Sequence, residues 1–238
     1  MKIYIVTIFP GLTEQVGKFG IVRRAIEAGK LHFESVDLRN YTTDSHRSVD
    51  DSPFGGGPGM VFLPEPVFAA VEDVYQKSGC KPYVVYLSPQ GELMNQRLVD
   101  ELAGKECLVL IAGRYEGIDQ RVLDVLVDKE ISFGDYILSG GELPAMALVD
   151  AIARKIPGAL GNEGSHESES FSNGLLDFPN YTRPENFRGW RVPEILLTGN
   201  KATVERWRRW QSLRVTRIKR PDLWEKYCRR FLRPEVNS

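Results

Sequence analysis

Residues 131–146 read ISFGDYILSGGELPAM, and the fold turns on how they are read. Three glycines, Gly134, Gly140 and Gly141, lie between a short apolar strand-like start and an apolar helical run. A glycine turn between a strand and a helix is where α/β proteins commonly hold phosphate, on the free N–H groups of the helix start. Yet the turn carries Asp135 and Glu142 and neither Lys nor Arg. Its charge disfavours phosphate, so its ligand must be of another kind.

Working outward, the first 155 residues alternate strand-like and helix-like segments. Lys2–Phe9, Ser35–Tyr41, Tyr83–Ser88, Cys107–Gly113 and Glu130–Phe133 are short, rich in Val, Ile, Leu and Tyr, and bounded by turn residues, which predicts strands. Between them Gly20–Lys30 places Ile21, Ala25 and Ala28 on one stripe, and Pro64–Lys77 places Val67, Val71 and Val74 on another. Asn95–Lys105 starts on a good N-cap residue, Gly117–Val127 carries Ile118, Val122, Leu123 and Leu126 on one face, and Leu143–Lys155 completes the set. This alternation predicts a mostly parallel sheet with helices on both faces.

Residues 42–61 form a long polar, glycine-rich loop, and residues 158–173 a Gly-, Ser- and Glu-rich stretch that reads as a linker. Beyond it, residues 174–238 lose strand alternation and become Arg- and Trp-rich helix. The expected organisation is a domain over 1–160, a linker over 161–172 and a second domain over 173–238. The formal net charge is −1, but residues 201–233 hold twelve basic against three acidic side chains, a net +9 that leaves −10 elsewhere. Such a segment suits a polyanion. Val204, Trp207 and Leu213 recur at helical spacing and read as a core stripe rather than a stacking platform. No run of 18 apolar residues predicts a membrane span, KIYIVTIF (2–9) reads as a strand and not a signal peptide, and Cys80, Cys107 and Cys228 are far apart. The expectation is a cytoplasmic protein with free thiols and no structural metal; His32 and His166 have no metal-ligand spacing.

There is no GxxxxGK[ST] and no GxGxxG at a strand–helix turn. Instead YLSPQG (86–91), AGRYEG (112–117) and SFGDYILSGGELPAM (132–146) follow three predicted strands. In open α/β sheets ligands bind outside the carboxyl ends of strands, so the three loops would make one pocket. Its side chains, Glu116, Asp135 and Glu142 against Arg114, suit a neutral or cationic ligand. The alternative is that each is merely a tight turn.

YLSPQG, GRYEGIDQR, EISFGDYILSGGELPAM and LLDFPNYTRP resemble the bacterial tRNA (guanine-N1)-methyltransferases of the SPOUT superfamily, over essentially the whole chain. The resemblance implies an α/β fold: a SPOUT-type parallel sheet with a deep trefoil knot, followed by a small, mainly helical C-terminal domain that binds tRNA. It implies S-adenosyl-L-methionine as methyl donor, guanine at tRNA position 37 as target, and a homodimer with the active site at the subunit interface. The donor pocket would draw on Tyr86, Leu87, Ser88, Pro89, Gly113, Tyr115, Glu116, Gly117, Ser132, Phe133, Gly134, Asp135, Tyr136, Ile137, Leu138, Gly140, Gly141 and Pro144. Arg154 matches the family's catalytic arginine. The family's linker Asp before Ser-Phe is here Glu169, in SHESESF (165–171), with Glu167 as a rival base. Glu keeps the carboxylate, with an intrinsic pKa about 0.4 units higher. Ala112 and Asn180 stand where the family often has Cys and His.

The resemblance makes His46 and Asp50 candidate RNA contacts, and Ser165 and Asp177 match family positions that could touch RNA or order the linker; Arg183, Arg208, Arg209, Arg214 and Arg220 are further candidate RNA contacts. Glu116 is open to three uses: the donor's amino group, a magnesium ion, or a cap on the helix near Gly117. Arg114 is open to two, the donor pocket or RNA phosphate. Two rival functions remain at this point: a related knotted methyltransferase acting on a ribose hydroxyl or another base, and an RNA-binding protein without activity.

Overall fold

The computed structural model describes residues 1–159 and 169–232. By its contacts the chain divides into two compact units, Met1–Gly161 and Asn162–Ser238. In the first unit β1 (Lys2–Thr7) leads through α1 (Pro10–Thr13) and α2 (Gly20–Glu27) to β2 (His32–Asp37). Then follow β3 (Asp50–Asp51), β4 (Val61–Phe62), α3 (Pro64–Ser78), β5 (Tyr83–Leu93), α4 (Gln96–Ala103), β6 (Cys107–Ile111), α5 (Gln120–Leu126), β7 (Lys129–Ser132) and α6 (Glu142–Ala153). The main sheet has five strands in the order β2-β1-β6-β5-β7, all parallel.

Strand alternation splits the core in two. Ile3, Ile5, Leu108 and Leu110 face one side with residues of α2, α4 and α6, where Leu102, Leu148 and Ile152 are fully buried. Tyr4, Val6, Val109 and Ile111 face the other, against Val67, Val71 and Val74 of α3 and Val122 of α5. Both faces of a parallel sheet are thus covered, which is why its strands read as continuous apolar runs. The helices start on the residues that satisfy their free N–H groups. The Asn95 side chain accepts from Leu98 N at 3.2 Å, and Asp119 accepts from Arg121 N at 2.9 Å.

Several expectations need correction. The strand predicted to stop at Ser88 continues to Leu93, because a bulge absorbs residues 88–91 and Ile131 pairs with both Leu87 and Glu92. Gly91 makes this possible: a Cβ there would lie 2.3 Å from Ile131 N. On α2 the buried residues are Val22 and Ala25, with Ala28 exposed, so the stripe is rotated from the predicted one. The helix expected from Gly117 begins at Gln120, capped by Asp119 and not by Glu116. The 42–61 loop contains β3 and the first residue of β4, which pair antiparallel with Asp50 opposite Phe62 and Asp51 opposite Val61.

The second unit holds β8 (Asn186–Phe187), β9 (Trp190–Arg191), α7 (Lys201–Lys219) and α8 (Pro221–Tyr227). No strand was expected here. The β8–β9 hairpin exists because Arg188 (φ 54°) and Gly189 (φ 88°) form a two-residue turn with both φ positive. The predicted stripe on α7 is only half-buried; the buried positions are Ser212 and Thr216. Thr216 Oγ1 accepts from Leu176 N at 2.8 Å and donates to Ser212 O at 2.7 Å, so a hydroxyl joins the loop to the helix. Leu175 and Tyr227 are the other buried side chains of this unit among the described residues.

Candidate active site

The three glycine-bearing segments meet at one edge of the first unit's sheet and enclose a cavity of about 550 Å³. A volume of this order holds a ligand the size of a nucleoside with a short side chain. Every predicted donor-pocket residue lines it except Asp135, which is exposed and is not part of the lining. The segments are tied to one another through the backbone: Gly141 N donates to Gly113 O at 2.9 Å, and Arg114 forms a bridge with Gly140. The tie needs glycine, since a Cβ on Gly141 would sit 2.9 Å from Ala112 Cα. Ala112 is fully buried under this contact.

The electrostatics differ from the predicted ones in membership, not in sign. Glu142 is 1% exposed and does not line the cavity. Its Oε1 accepts from Arg114 Nε at 3.0 Å and from Thr7 Oγ1 at 3.1 Å. Among the described residues Arg114 is the only basic one on the lining, and its charge is met by that pair. Glu116 and Glu130 supply the remaining lining charge, so the cavity stays acidic. Burial, followed by the nearby Glu130 charge, pushes the Tyr86 hydroxyl up to about 12, so it stays protonated across the neutral range.

Glu116 lies against the glycine-rich loop. Its N–H donates to Met60 O at 3.0 Å, and a Cβ on Gly59 would fall 2.4 Å from its Oε1. Next to it Tyr115 holds a left-handed φ of 57° with an exposed ring. Non-glycine residues in this region cost about 1 kcal/mol or more and concentrate at ligand sites. Among the described residues no group of three or more His, Cys, Asp or Glu side chains is placed to hold a metal ion.

Glu130 and Gln90 line the cavity without having been predicted. For Glu130 a signal existed: in a strand, the neighbour of buried Ile131 must face the other way. Gln90 was hidden because its strand was expected to have ended.

Arg154 closes α6 at its C-cap, donating its N–H to Asp150 O at 3.3 Å. Glu169 opens the described part of the second unit, its carbonyl accepting from Ser172 N at 3.3 Å. Ser165 and Glu167 lie outside the described residues. His46 is exposed, and its N–H is held by Asp44 at 3.1 Å; Asp50 is half-buried in β3.

In the second unit a cavity of about 450 Å³ is lined by Phe178, Asn180, Tyr181, Arg183, Trp207 and Arg208, among others. The Arg208 guanidinium lies over the Phe178 ring at 4.8 Å, and Arg214 lies over Trp210 at 5.6 Å. Asp177 is half-buried, with its carboxylate accepting from Phe178 N at 2.7 Å. Arg209 donates to the Tyr227 hydroxyl at 2.6 Å, and Arg220 is paired with Asp222 at 2.7 Å. The last two arginines therefore already have internal partners.

The model of the family "tRNA (Guanine-1)-methyltransferase TrmD" matches residues 1–226. The chain belongs to the tRNA (guanine-N1)-methyltransferase family. It is 53% identical to the tRNA (guanine-N(1)-)-methyltransferase of Thermosipho africanus, over 95% of this chain and 91% of that one. It is 49% identical to that of Halalkalibacterium halodurans, over 94% and 92%. Among solved structures, the tRNA (m1G37) methyltransferase of Aquifex aeolicus matches with a TM-score of 0.78 and 42% identity, over 99% of each chain. The family places the cavity in a methyltransferase, and the α/β fold with its five-stranded parallel sheet agrees with the solved relative. No helix among the described residues is long and apolar enough to cross a membrane.

Proposed function

We propose that this chain methylates N1 of the guanine at tRNA position 37, using S-adenosyl-L-methionine. The observation that carries the reading is the backbone-tied, acidic cavity in a chain of this family. The methyl donor has no phosphate and carries a positive sulfonium. It therefore suits a site lined, among the described residues, by glycine loops, two carboxylates and no lysine. Bound there, it supplies an electrophilic methyl group.

The protein's part is to make guanine N1 a nucleophile. In this proposal the Glu169 carboxylate takes the N1 proton as general base, and Arg154 donates hydrogen bonds to the exocyclic oxygen as negative charge builds there. Glu116 is assigned to the donor's amino group or to a magnesium ion. RNA would be held by Arg208, Arg214 and Arg183, with Arg209 and Arg220 contributing after giving up internal partners, and with His46, Asp50, Ser165 and Asp177 as further contacts. The proposal extends to residues 1–160 as the knotted methyltransferase domain, 161–172 as linker and 173–238 as the tRNA-binding domain.

The chain would act as a cytoplasmic homodimer with its active site at the subunit interface. Exposed Tyr136, Ile137 and Leu138 on the cavity lining support a partner there, with Ile137 82% exposed.

The test is labelled methyl transfer to tRNA transcripts carrying guanine or adenine at position 37. Transfer to guanine alone is expected. Equal transfer to both would sink the guanine claim, and transfer to neither would leave an RNA-binding protein without activity. Glu169→Ala should lower turnover at least a hundredfold, the general-base contribution; full activity in that variant would move the base elsewhere.

A further inference from the structure

Glu142 is buried, charged and only half satisfied. Both of its hydrogen bonds fall on Oε1, from Arg114 Nε and Thr7 Oγ1, while Oε2 is buried with no partner among the described residues. A carboxylate whose sole task was to fix the start of α6 would be expected to use both oxygens, because a buried acceptor left alone is costly. Arg–carboxylate pairs usually close as two-point forks. Here the contact is made at Nε alone, so the two terminal nitrogens of Arg114 are left without a hydrogen-bond partner among the described residues.

Arg114 is held on two further sides. Its guanidinium lies 4.3 Å over the Phe9 ring, and its backbone bridges Gly140, whose missing Cβ would fall 2.4 Å from Glu142 Oε2 and 2.7 Å from Arg114 Cγ. Gly140 thus leaves room for carboxylate and arginine stem to pack under the loop. The result is a cation on the cavity wall with a fixed direction and unused donors.

We propose that Glu142 is a positioning residue. It fixes Arg114 so that the guanidinium's terminal N–H groups receive the carboxylate of the methyl donor's amino-acid part. The inference rests on the proposed use of S-adenosylmethionine. A carboxylate fits better than an RNA phosphate because Arg114 lines the same cavity as the glycine loops.

The test measures binding of two probes by calorimetry: S-adenosylhomocysteine, which keeps the amino-acid carboxylate, and 5′-methylthioadenosine, which lacks it. Arg114→Met should weaken the first roughly 10- to 100-fold, the range for a hydrogen bond to a charged group, and leave the second unchanged. Glu142→Gln should weaken the first about tenfold with the same selectivity, and the double variant should bind no worse than Arg114→Met alone, since Glu142 acts through Arg114. Additive losses, equal losses for both probes, or a loss confined to tRNA affinity would each overturn the proposal. If Glu142→Gln does not fold, Thr7→Val loosens the same carboxylate. It should weaken the first probe a few-fold and spare the second, and equal weakening would overturn the proposal. Wild-type protein that binds neither probe would instead break the proposed function itself.

Discussion

The two cavities of this chain are built from different materials. The cavity of the first unit is walled by backbone: glycine segments tied by main-chain hydrogen bonds over a fully buried core. That of the second unit is walled by aromatic and arginine side chains around a helix whose buried positions are Ser212 and Thr216. A backbone wall has a fixed shape and fails abruptly when a side chain is added. A side-chain wall contributes through separable contacts, each lost in proportion to the group removed, and its charged contacts respond to salt. The difference suits a small ligand of one shape in the first case and an extended polyanion in the second.

The sharpest way to break this comparison is to add one methyl group just behind the first wall, at Gly91, which follows the lining residues Ser88, Pro89 and Gln90 along β5. Gly91→Ala would put a Cβ 2.3 Å from Ile131 N, and backbone cannot give way as a side-chain end can. The expected cost is about 3 kcal/mol, at the upper end for overpacking, with S-adenosylhomocysteine binding lost. A urea unfolding midpoint and calorimetry read both. Unchanged stability would mean that the 88–91 bulge is not held as rigidly as its pairing indicates.

The matching change in the second unit is Thr216→Val. It keeps the volume but removes the acceptor for Leu176 N and the donor to Ser212 O. A buried N–H left unpaired costs about 1–3 kcal/mol. The unfolding midpoint of the second unit should fall accordingly, while donor binding in the first unit stays as it was.

What the sequence disclosed follows the same divide. The parallel sheet was legible because buried strands are continuous apolar runs and the helices between them carry capped, periodic faces, as at Asn95 and at Val67, Val71 and Val74. The cavity edge was legible from glycine placement. The pairing of Glu142 was not, since its partners Arg114 and Thr7 are 28 and 135 residues away and no local pattern encodes such a contact. The bulge at 88–91 was hidden because its cause, the close approach of Ile131, is also remote. In the second unit the helical period predicted a Val204–Trp207–Leu213 stripe, but the site where the chain from Leu176 crosses α7 decides what is buried, and small hydroxyl residues fit that crossing.

Salt dependence separates the two walls further. Arg208 lies over Phe178 and has no carboxylate partner among the described residues, so its charge is available to phosphate. Arg208→Gln should weaken tRNA binding and lower the slope of log affinity against log salt by about 1. Donor binding in the first unit should show little salt response. A variant that changed affinity with no change in slope would make Arg208 a stacking contact.

Arg220 should behave differently, and its behaviour can be read from a proton. The Arg220 guanidinium, hydrogen-bonded to Asp222 at 2.9 and 2.7 Å, holds that carboxyl down at about 2. The folded value is below the unfolded value of about 3.9, so the pair's stabilisation is present above about pH 4 and is lost as pH falls toward 2. Both groups are on the surface, so the effect on unfolding is small and is better followed by the carboxyl NMR signal of Asp222. In Arg220→Gln that titration should move up toward 3.9. The same partner must be displaced before Arg220 can meet a phosphate. Arg220→Gln should therefore reduce the salt slope by less than Arg208→Gln does, and added tRNA should raise the Asp222 midpoint if RNA takes the arginine away. A midpoint that stays near 2 with tRNA bound would leave Arg220 as an internal partner only, and the side-chain wall would be smaller by one cation.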